Sequence, residues 1–239
     1  MKTPTTVLRA LTPARIGIGR AGSGLPTAEL LAFGLAHARA RDAVHAALDV
    51  KPLLEGLKSL GFHSQEVSSR VPDRETYLRR PDLGRRLAEG FSIKRSSFPV
   101  GLVLADGLSS FAIQNHAIPL LRALVAVSPE RWQGAPAVIA LQARVALGDE
   151  IGERLGAQLV CVLIGERPGL SSPDSLGAYL TFAPRVGRTD AERNCVSNIR
   201  PAGLGYEAAA RRIDWLAAAA LARGLTGVGL KDDSAGLLK

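Results

Sequence analysis

Aromatic residues make up only 5% of the 239 positions, and the chain holds two cysteines, four histidines and one methionine. So few aromatics leave no stacking platform for single-stranded nucleic acid. The balance of 30 Lys+Arg against 22 Asp+Glu gives a formal charge of +8, but the arginines are scattered and often adjoin acids, as in Arg41-Asp42, Asp73-Arg74-Glu75 and Glu192-Arg193. No nucleic-acid partner is expected. Cys161 lies in an apolar run and Cys195 in a polar one, and neither has a neighbour at metal-ligand spacing. Zinc and a disulfide framework are disfavoured, and two free thiols are expected. His37, His45, His63 and His116 accompany no Gly-x-Ser-x-Gly elbow, so a serine hydrolase is improbable. No run reaches the roughly 18 apolar residues of a membrane span, and Met1 to Thr6 lead into no apolar signal core. No membrane partner and an intracellular address are therefore expected.

The chain does have an unbroken apolar run, Leu159-Val160-Cys161-Val162-Leu163-Ile164, followed by Gly165-Glu166-Arg167-Pro168-Gly169. A run of this kind suits a strand buried on both faces of a parallel sheet. Further strands are predicted over 100–105, 137–141 and 178–182. Helices are predicted from the Ser109 N-cap onward with a break or kink at Pro119, from Asp149 to Leu155 ended by Gly156, and from Tyr206 to Arg223 ended by Gly224. Strands alternating with helices imply an α/β domain over residues 98–239, its sheet mainly parallel and doubly wound in the flavodoxin or Rossmann manner.

Residues 1–97 read as a small, mostly helical domain. An arm reaches to Pro13. The glycine-dense Arg15 to Gly24 mimics a phosphate loop, but Gly24-Leu25-Pro26 intervenes before any helix, so an extended segment crossing to a partner subunit is the better reading. Helices follow over Thr27 to Leu48 and Val50 to Leu60, the second ended by Gly61, and Phe62 to Val71 can form a strand. His37 and His45 have no partner at ligand spacing. The stretch Asp73 to Leu87 is dense in arginine, with Asp82 placed to cap a helix at Leu83. It suits a surface for an acidic partner or phosphate.

Open α/β sheets bind ligands outside the carboxyl ends of their strands. Three loops fall there: Arg144-Val145, Glu166-Arg167 and Asn194-Cys195-Val196-Ser197. Converging loops of this kind suit a large flat ligand. Glu166 could accept hydrogen bonds from such a ligand, or pair instead with Arg167 or Arg193. Asp106-Gly107 could bind a metal or a sugar hydroxyl, but fits a turn better.

Gly165-Glu166-Arg167-Pro168-Gly169-Leu170, then Arg193-Asn194-Cys195-Val196-Ser197-Asn198-Ile199, resemble the light chain of ethanolamine ammonia-lyase. Gly19-Arg20-Ala21-Gly22, Tyr77 to Arg86 and Asp106-Gly107-Leu108-Ser109 fall in the order that family shows, so the resemblance runs from about Ala14 to the last helix. It implies the small subunit of an adenosylcobalamin-dependent lyase that converts ethanolamine to acetaldehyde and ammonia by a radical route. The implied cofactor contacts are Val145, Glu166 and Cys195, with no catalytic residue on this chain. The cofactor would lie at the interface with a large subunit that carries the substrate site. No histidine stands in an Asp-x-His-x-x-Gly motif, so cobalamin is expected to keep its benzimidazole base. The resemblance also implies a cytoplasmic address, or packaging into a bacterial microcompartment, which in family members accompanies a longer amino-terminal extension than the arm here. The alternative is a stand-alone flavodoxin-like module gripping a phosphate through its glycine-rich and Asp106-Gly107 loops.

Overall fold

A computed structural model of the chain describes residues 4–12 and 14–234. The apolar runs form the centre of one six-stranded sheet: β2 (Val100–Ala105) and β4 (Leu159–Gly165) are buried at every position, as unalternating runs require. β2 pairs in parallel with β4 on one side and with β3 (Ala137–Leu141) on the other; β1 (Ser64–Ser68) pairs in parallel with β3. Beyond β4 the direction reverses. β5 (Leu176–Phe182) runs antiparallel to β4, and β6 (Asn194–Ile199) antiparallel to β5, giving the order β1-β3-β2-β4-β5-β6.

The α/β sheet is parallel over β1, β3, β2 and β4, as expected above, and departs from the doubly wound flavodoxin or Rossmann pattern at β5 and β6. A parallel return needs a crossover of about a dozen residues or more, usually a helix. Residues 166–175 connect β4 to β5 with no helix, so β5 folds back beside β4. The polar stretch at Cys195 is not a loop but the edge strand β6. Its buried positions are Val196 and Ile199, three apart instead of two, because the register slips between Leu176↔Ile199 and Ala178↔Val196. Asn198, at φ 57°, lies within that bulge.

The remaining elements are α1 (Pro4–Leu11), α2 (Thr27–His45), α3 (Val50–Ser59), α4 (Arg74–Arg79), α5 (Ser110–Val127), α6 (Pro129–Trp132), α7 (Leu147–Leu155) and α8 (Tyr206–Arg223). α3, α5 and α8 cover one face of the sheet, burying Leu53, Leu57, Leu120, Leu124, Ile213 and Leu216 with Leu102, Leu104 and Cys161. α7 covers the other face with Leu147, Ile151 and Leu155 against Val103, Val160 and Val162. It packs mainly on β2 and β4 and reaches β5 at Thr181, which is fully buried, while α8 reaches β4, β5 and β6 on the opposite side. On the α7 side Tyr179 of β5 is half-buried and the β6 edge is open at Cys195 and Ser197. β1 and α3 share this sheet and this core with the strands that follow residue 98.

Ser109 caps α5 by accepting from the Ala112 amide, and Gly156 and Gly224 end α7 and α8 in left-handed conformation, all as predicted. Pro119 does not break α5. Leu120, Leu121 and Leu124 are fully buried beside it, and each would cost about 2–5 kcal/mol to truncate, against about 3 kcal/mol for an interior proline. α5 is the one helix among the described residues long and apolar enough to cross a membrane, and here it packs into the core. Asp82 does not cap a helix: residues 83–85 form a single 3₁₀ turn, and Asp82 pairs with Arg80 at 2.7 Å. The arm expected up to Pro13 is helical over α1, while residues 1–3 and Pro13 lie outside the described residues. On α1 and α2, Val7, Leu8, Leu11, Leu30, Leu31, Phe33 and Leu35 are exposed. Only Ala43 of α2 is buried, so Leu30, Leu31 and Phe33 stay largely exposed, with Arg15 stacked over the Phe33 ring at 5.4 Å.

Candidate functional site

The site begins where β2 ends. The Asp106-Gly107 turn presses against the last residue of β4 with no room for side chains. A Cβ on Gly107 (φ +58°) would lie 2.2 Å from the Gly165 oxygen, and one on Gly165 would lie 2.0 Å from the Ser109 oxygen. The Leu108 amide donates to the Gly165 carbonyl at 2.9 Å, locking turn and strand together. Asp106 is 4% exposed and serves the turn. Its carboxylate accepts from the amides of Gly107 (2.9 Å), Ala143 (3.0 Å) and Gln142 (2.9 Å), with the Arg74 Nη1 at 3.5 Å. One buried carboxylate therefore sutures the carboxyl ends of β2 and β3, and holds Gln142 at φ 53°. That is the turn reading of Asp106, not the ligand one.

The loop after β3 continues from that suture. Tyr77 of α4 is fully buried and donates its hydroxyl hydrogen to the Ala143 carbonyl at 2.9 Å. The guanidinium groups of Arg74 and Arg144 lie over its ring at 4.6 and 4.1 Å. Arg144 also donates through Nη2 to the Tyr77 carbonyl at 3.0 Å and through its backbone amide to Gly84 at 2.8 Å. Of the arginine-dense stretch, then, Arg74 is internal, Arg79 and Arg80 face acids of their own turn (Glu75 and Asp82), and Arg86 pairs with Glu150.

Val145 and Glu166 line one cleft of about 410 Å³, together with Gly107, Arg144, Arg167 and Tyr179. Tyr179 stands directly across the β5–β6 ladder from Cys195, which sets the phenol beside the thiol. The three residues singled out from the sequence thus border one continuous surface, two in the cleft and the third beside it on the open face of β6. Cys195 is exposed and Cys161 buried, and both are free thiols. Burial pushes the Cys161 thiol up to about 12. The Cys195 thiol is also raised, chiefly by desolvation and secondarily by the Glu166 charge.

Glu166 pairs with neither arginine considered for it. Arg193 is taken by Asp149 and Asp190, and no ion pair reaches Glu166 among the described residues. Its Oε2 accepts from the Ser175 hydroxyl and from the Asn198 amide at 3.2 Å. Oε1 lies over Gly177, where a Cβ would come within 2.9 Å, and has no protein donor among the described residues. The carboxylate is aimed by two donors and keeps one oxygen free to accept. The loop that carries it is tied down at its far end: Asp174 Oδ2 is 3.0 Å from His116 Nε2, His116 Nδ1 is 2.8 Å from the Tyr206 hydroxyl, and Ser109 donates to the Pro173 carbonyl at 2.8 Å.

The glycine-dense segment does not serve as a βα phosphate turn. It follows α1 and precedes α2, with Arg9 donating to the Ile16 and Gly17 carbonyls. No histidine borders the cleft, so a metal or cofactor held there would receive no imidazole from these walls. Sequence reasoning missed Tyr77 and Tyr179. Tyr179 was legible in principle, as the half-buried member of an alternating strand; the position of Tyr77 depends on contacts 66 and 67 residues away.

The chain matches the family described as "Ethanolamine ammonia-lyase light chain (EutC)" over residues 2–231. Proteins named ethanolamine ammonia-lyase small subunit are similar to it throughout. That of Rhodopseudomonas palustris is 57% identical over 233 residues, covering 95% of this chain and 89% of the relative. That of Bradyrhizobium diazoefficiens is 54% identical over 239 residues (97% and 92%), and that of Azotobacter vinelandii 52% over 240 (97% and 89%).

Proposed function

The chain belongs to the ethanolamine ammonia-lyase light-chain family, as a small subunit of a carbon–nitrogen lyase, and from that premise we propose that it holds adenosylcobalamin against a large subunit. The observation that carries this reading is the convergence of Val145, Glu166 and Cys195 on one open surface. Cobalamin offers a broad ring with apolar faces and a rim of amides, and the surface matches it in kind. Val145 and the side-chain-free turn at Gly107 provide a close apolar wall, and Glu166 Oε1 provides an acceptor for an amide N–H. Ser175 and the Asn198 amide fix the direction in which that acceptor points. The absence of any wall histidine fits a cofactor that retains its own base.

When bound, adenosylcobalamin supplies an adenosyl radical by homolysis of its Co–C bond, for hydrogen removal from the ethanolamine carbon that bears the hydroxyl. This chain's residues bind and orient the cofactor and exclude water from one side; the substrate is assigned to the large subunit. The large subunit would also cover the exposed apolar residues of α1 and α2, a patch of the kind that marks protein contacts.

The test is a titration of the two-subunit complex with adenosylcobalamin, followed by visible absorption, for the wild type and for Glu166→Ala. Loss of one charged hydrogen-bond partner weakens affinity about tenfold or more. Unchanged affinity in the variant would remove Glu166 from the site.

A further inference from the structure

We propose that a second, arginine-lined cleft beside the first receives a phosphodiester, the one in the nucleotide loop that joins a corrin ring to its retained base, with Arg144 and Arg85 as its ligands. This rests on the cobalamin reading above and goes beyond its three contact residues. The cleft, of about 430 Å³, is bordered by Arg85, Arg144, Arg188 and Arg193, with one acid, Asp190, on its rim, and Arg144 and Val145 line both clefts, so the two are contiguous.

The charge accounting within the cleft selects the ligands. Arg188 pairs with Glu192, and Arg193 with Asp149 and with Asp190 at 2.9 Å. Neither Arg85 nor Arg144 has a carboxylate within 4.0 Å among the described residues. Arg144 is held rigidly, stacked on Tyr77 and bonded through Nη2, yet its Nε is buried with no hydrogen-bond partner. With Nε and Nη2 turned inward, Nη1, which makes no hydrogen bond among the described residues and is not enclosed, is the edge left to meet a phosphate oxygen beside the exposed Arg85. The nine-residue helix α7 starts at the same wall, with Ala146 at its N-cap and no side chain capping it. The acids of its first turn are already committed: Asp149 to Arg193, and Glu150 to Arg86, Arg154 and the Leu87 amide. The helix terminus therefore adds to the positive field instead of cancelling it.

The experiment compares two corrinoids on the assembled complex: adenosylcobalamin, which carries the phosphodiester, and adenosylcobinamide, which lacks the whole nucleotide loop. Each is titrated against wild type, Arg144→Gln and Arg85→Gln. Arg85→Gln should weaken adenosylcobalamin about tenfold or more while leaving adenosylcobinamide within about twofold, and Arg144→Gln, at a residue that also lines the ring cleft, should weaken adenosylcobalamin about tenfold more than it weakens adenosylcobinamide. Arg85 is exposed, so Arg85→Gln keeps the comparison available if Arg144→Gln fails to assemble. Equal weakening of both corrinoids, or of neither, overturns the assignment; it would mean that these arginines support the ring surface or meet a carboxylate of the large subunit. A wild-type complex that binds neither corrinoid would instead sink the cobalamin reading itself.

Discussion

Gly107→Ala should damage this protein far more than an ordinary glycine substitution in a left-handed turn. Gly107 has φ +58°, a conformation that costs an L-residue about 1–2 kcal/mol. The added Cβ would also sit 2.2 Å from the Gly165 oxygen and 2.9 Å from the Gly165 nitrogen, atoms of a central strand that cannot rotate away. Relief requires moving β4 or the turn, and overpacking of this kind costs a further 1–3 kcal/mol or so. The total of about 2–5 kcal/mol corresponds to a fall in Tm of about 4–20 °C for a domain of this size. Gly61→Ala is the matched control: its φ is +79°, but nothing lies within 4 Å of the new Cβ, so only the conformational cost remains, about 2–8 °C. Thermal unfolding followed by circular dichroism would compare the two. If Gly107→Ala loses no more than Gly61→Ala, the backbone contact between turn and strand does not have the structural role assigned to it here.

Two further outcomes follow from the buried pairs and the thiol. Arg193→Ala leaves Asp149 without its main partner, both side chains being 3% or less exposed, and should cost about 3–5 kcal/mol. Burial already raises the Asp149 carboxyl, and removing Arg193 raises it further. The variant's folded state then binds more protons than its unfolded state, so its deficit should shrink as pH falls from about 7 toward 4; a deficit independent of pH would contradict the pairing. Cys195→Ser should leave cobalamin affinity within about twofold if the thiol only packs against Tyr179, and a large loss would give it a direct role. Because the Cys195 thiol is raised, its alkylation near neutral pH should be slower than that of a free thiol and should accelerate with pH; fast labelling at neutral pH would overturn that assignment.

The central strands were readable because β2 and β4 need no periodicity, only unbroken apolar residues between turn signals, and the helix ends because Ser109, Gly156 and Gly224 act locally. The reversal at β5 was present in the shortness of 166–175, but the apolar pattern of Leu176–Phe182 is the same for either strand direction. β6 was hidden by its bulge, which spaces Val196 and Ile199 three apart and leaves Cys195, Ser197 and Asn198 exposed, so the stretch reads as loop. At the site, the strand-end loops at 144–145 and 166–167 could be placed from pattern alone. The choice of Val145, Glu166 and Cys195 came from resemblance. That Arg144 lies between two clefts could not be read at all, since its stacking on Tyr77 joins segments 67 residues apart.

On the reading proposed above, this chain holds cobalamin only as half of a two-subunit lyase. Co-expression with a large subunit of the family, purification of the complex, and assay for acetaldehyde released from ethanolamine test it directly. The chains should co-purify, and activity should require both of them and adenosylcobalamin. A stable complex with a competent large subunit that neither binds the cofactor nor releases acetaldehyde would contradict it.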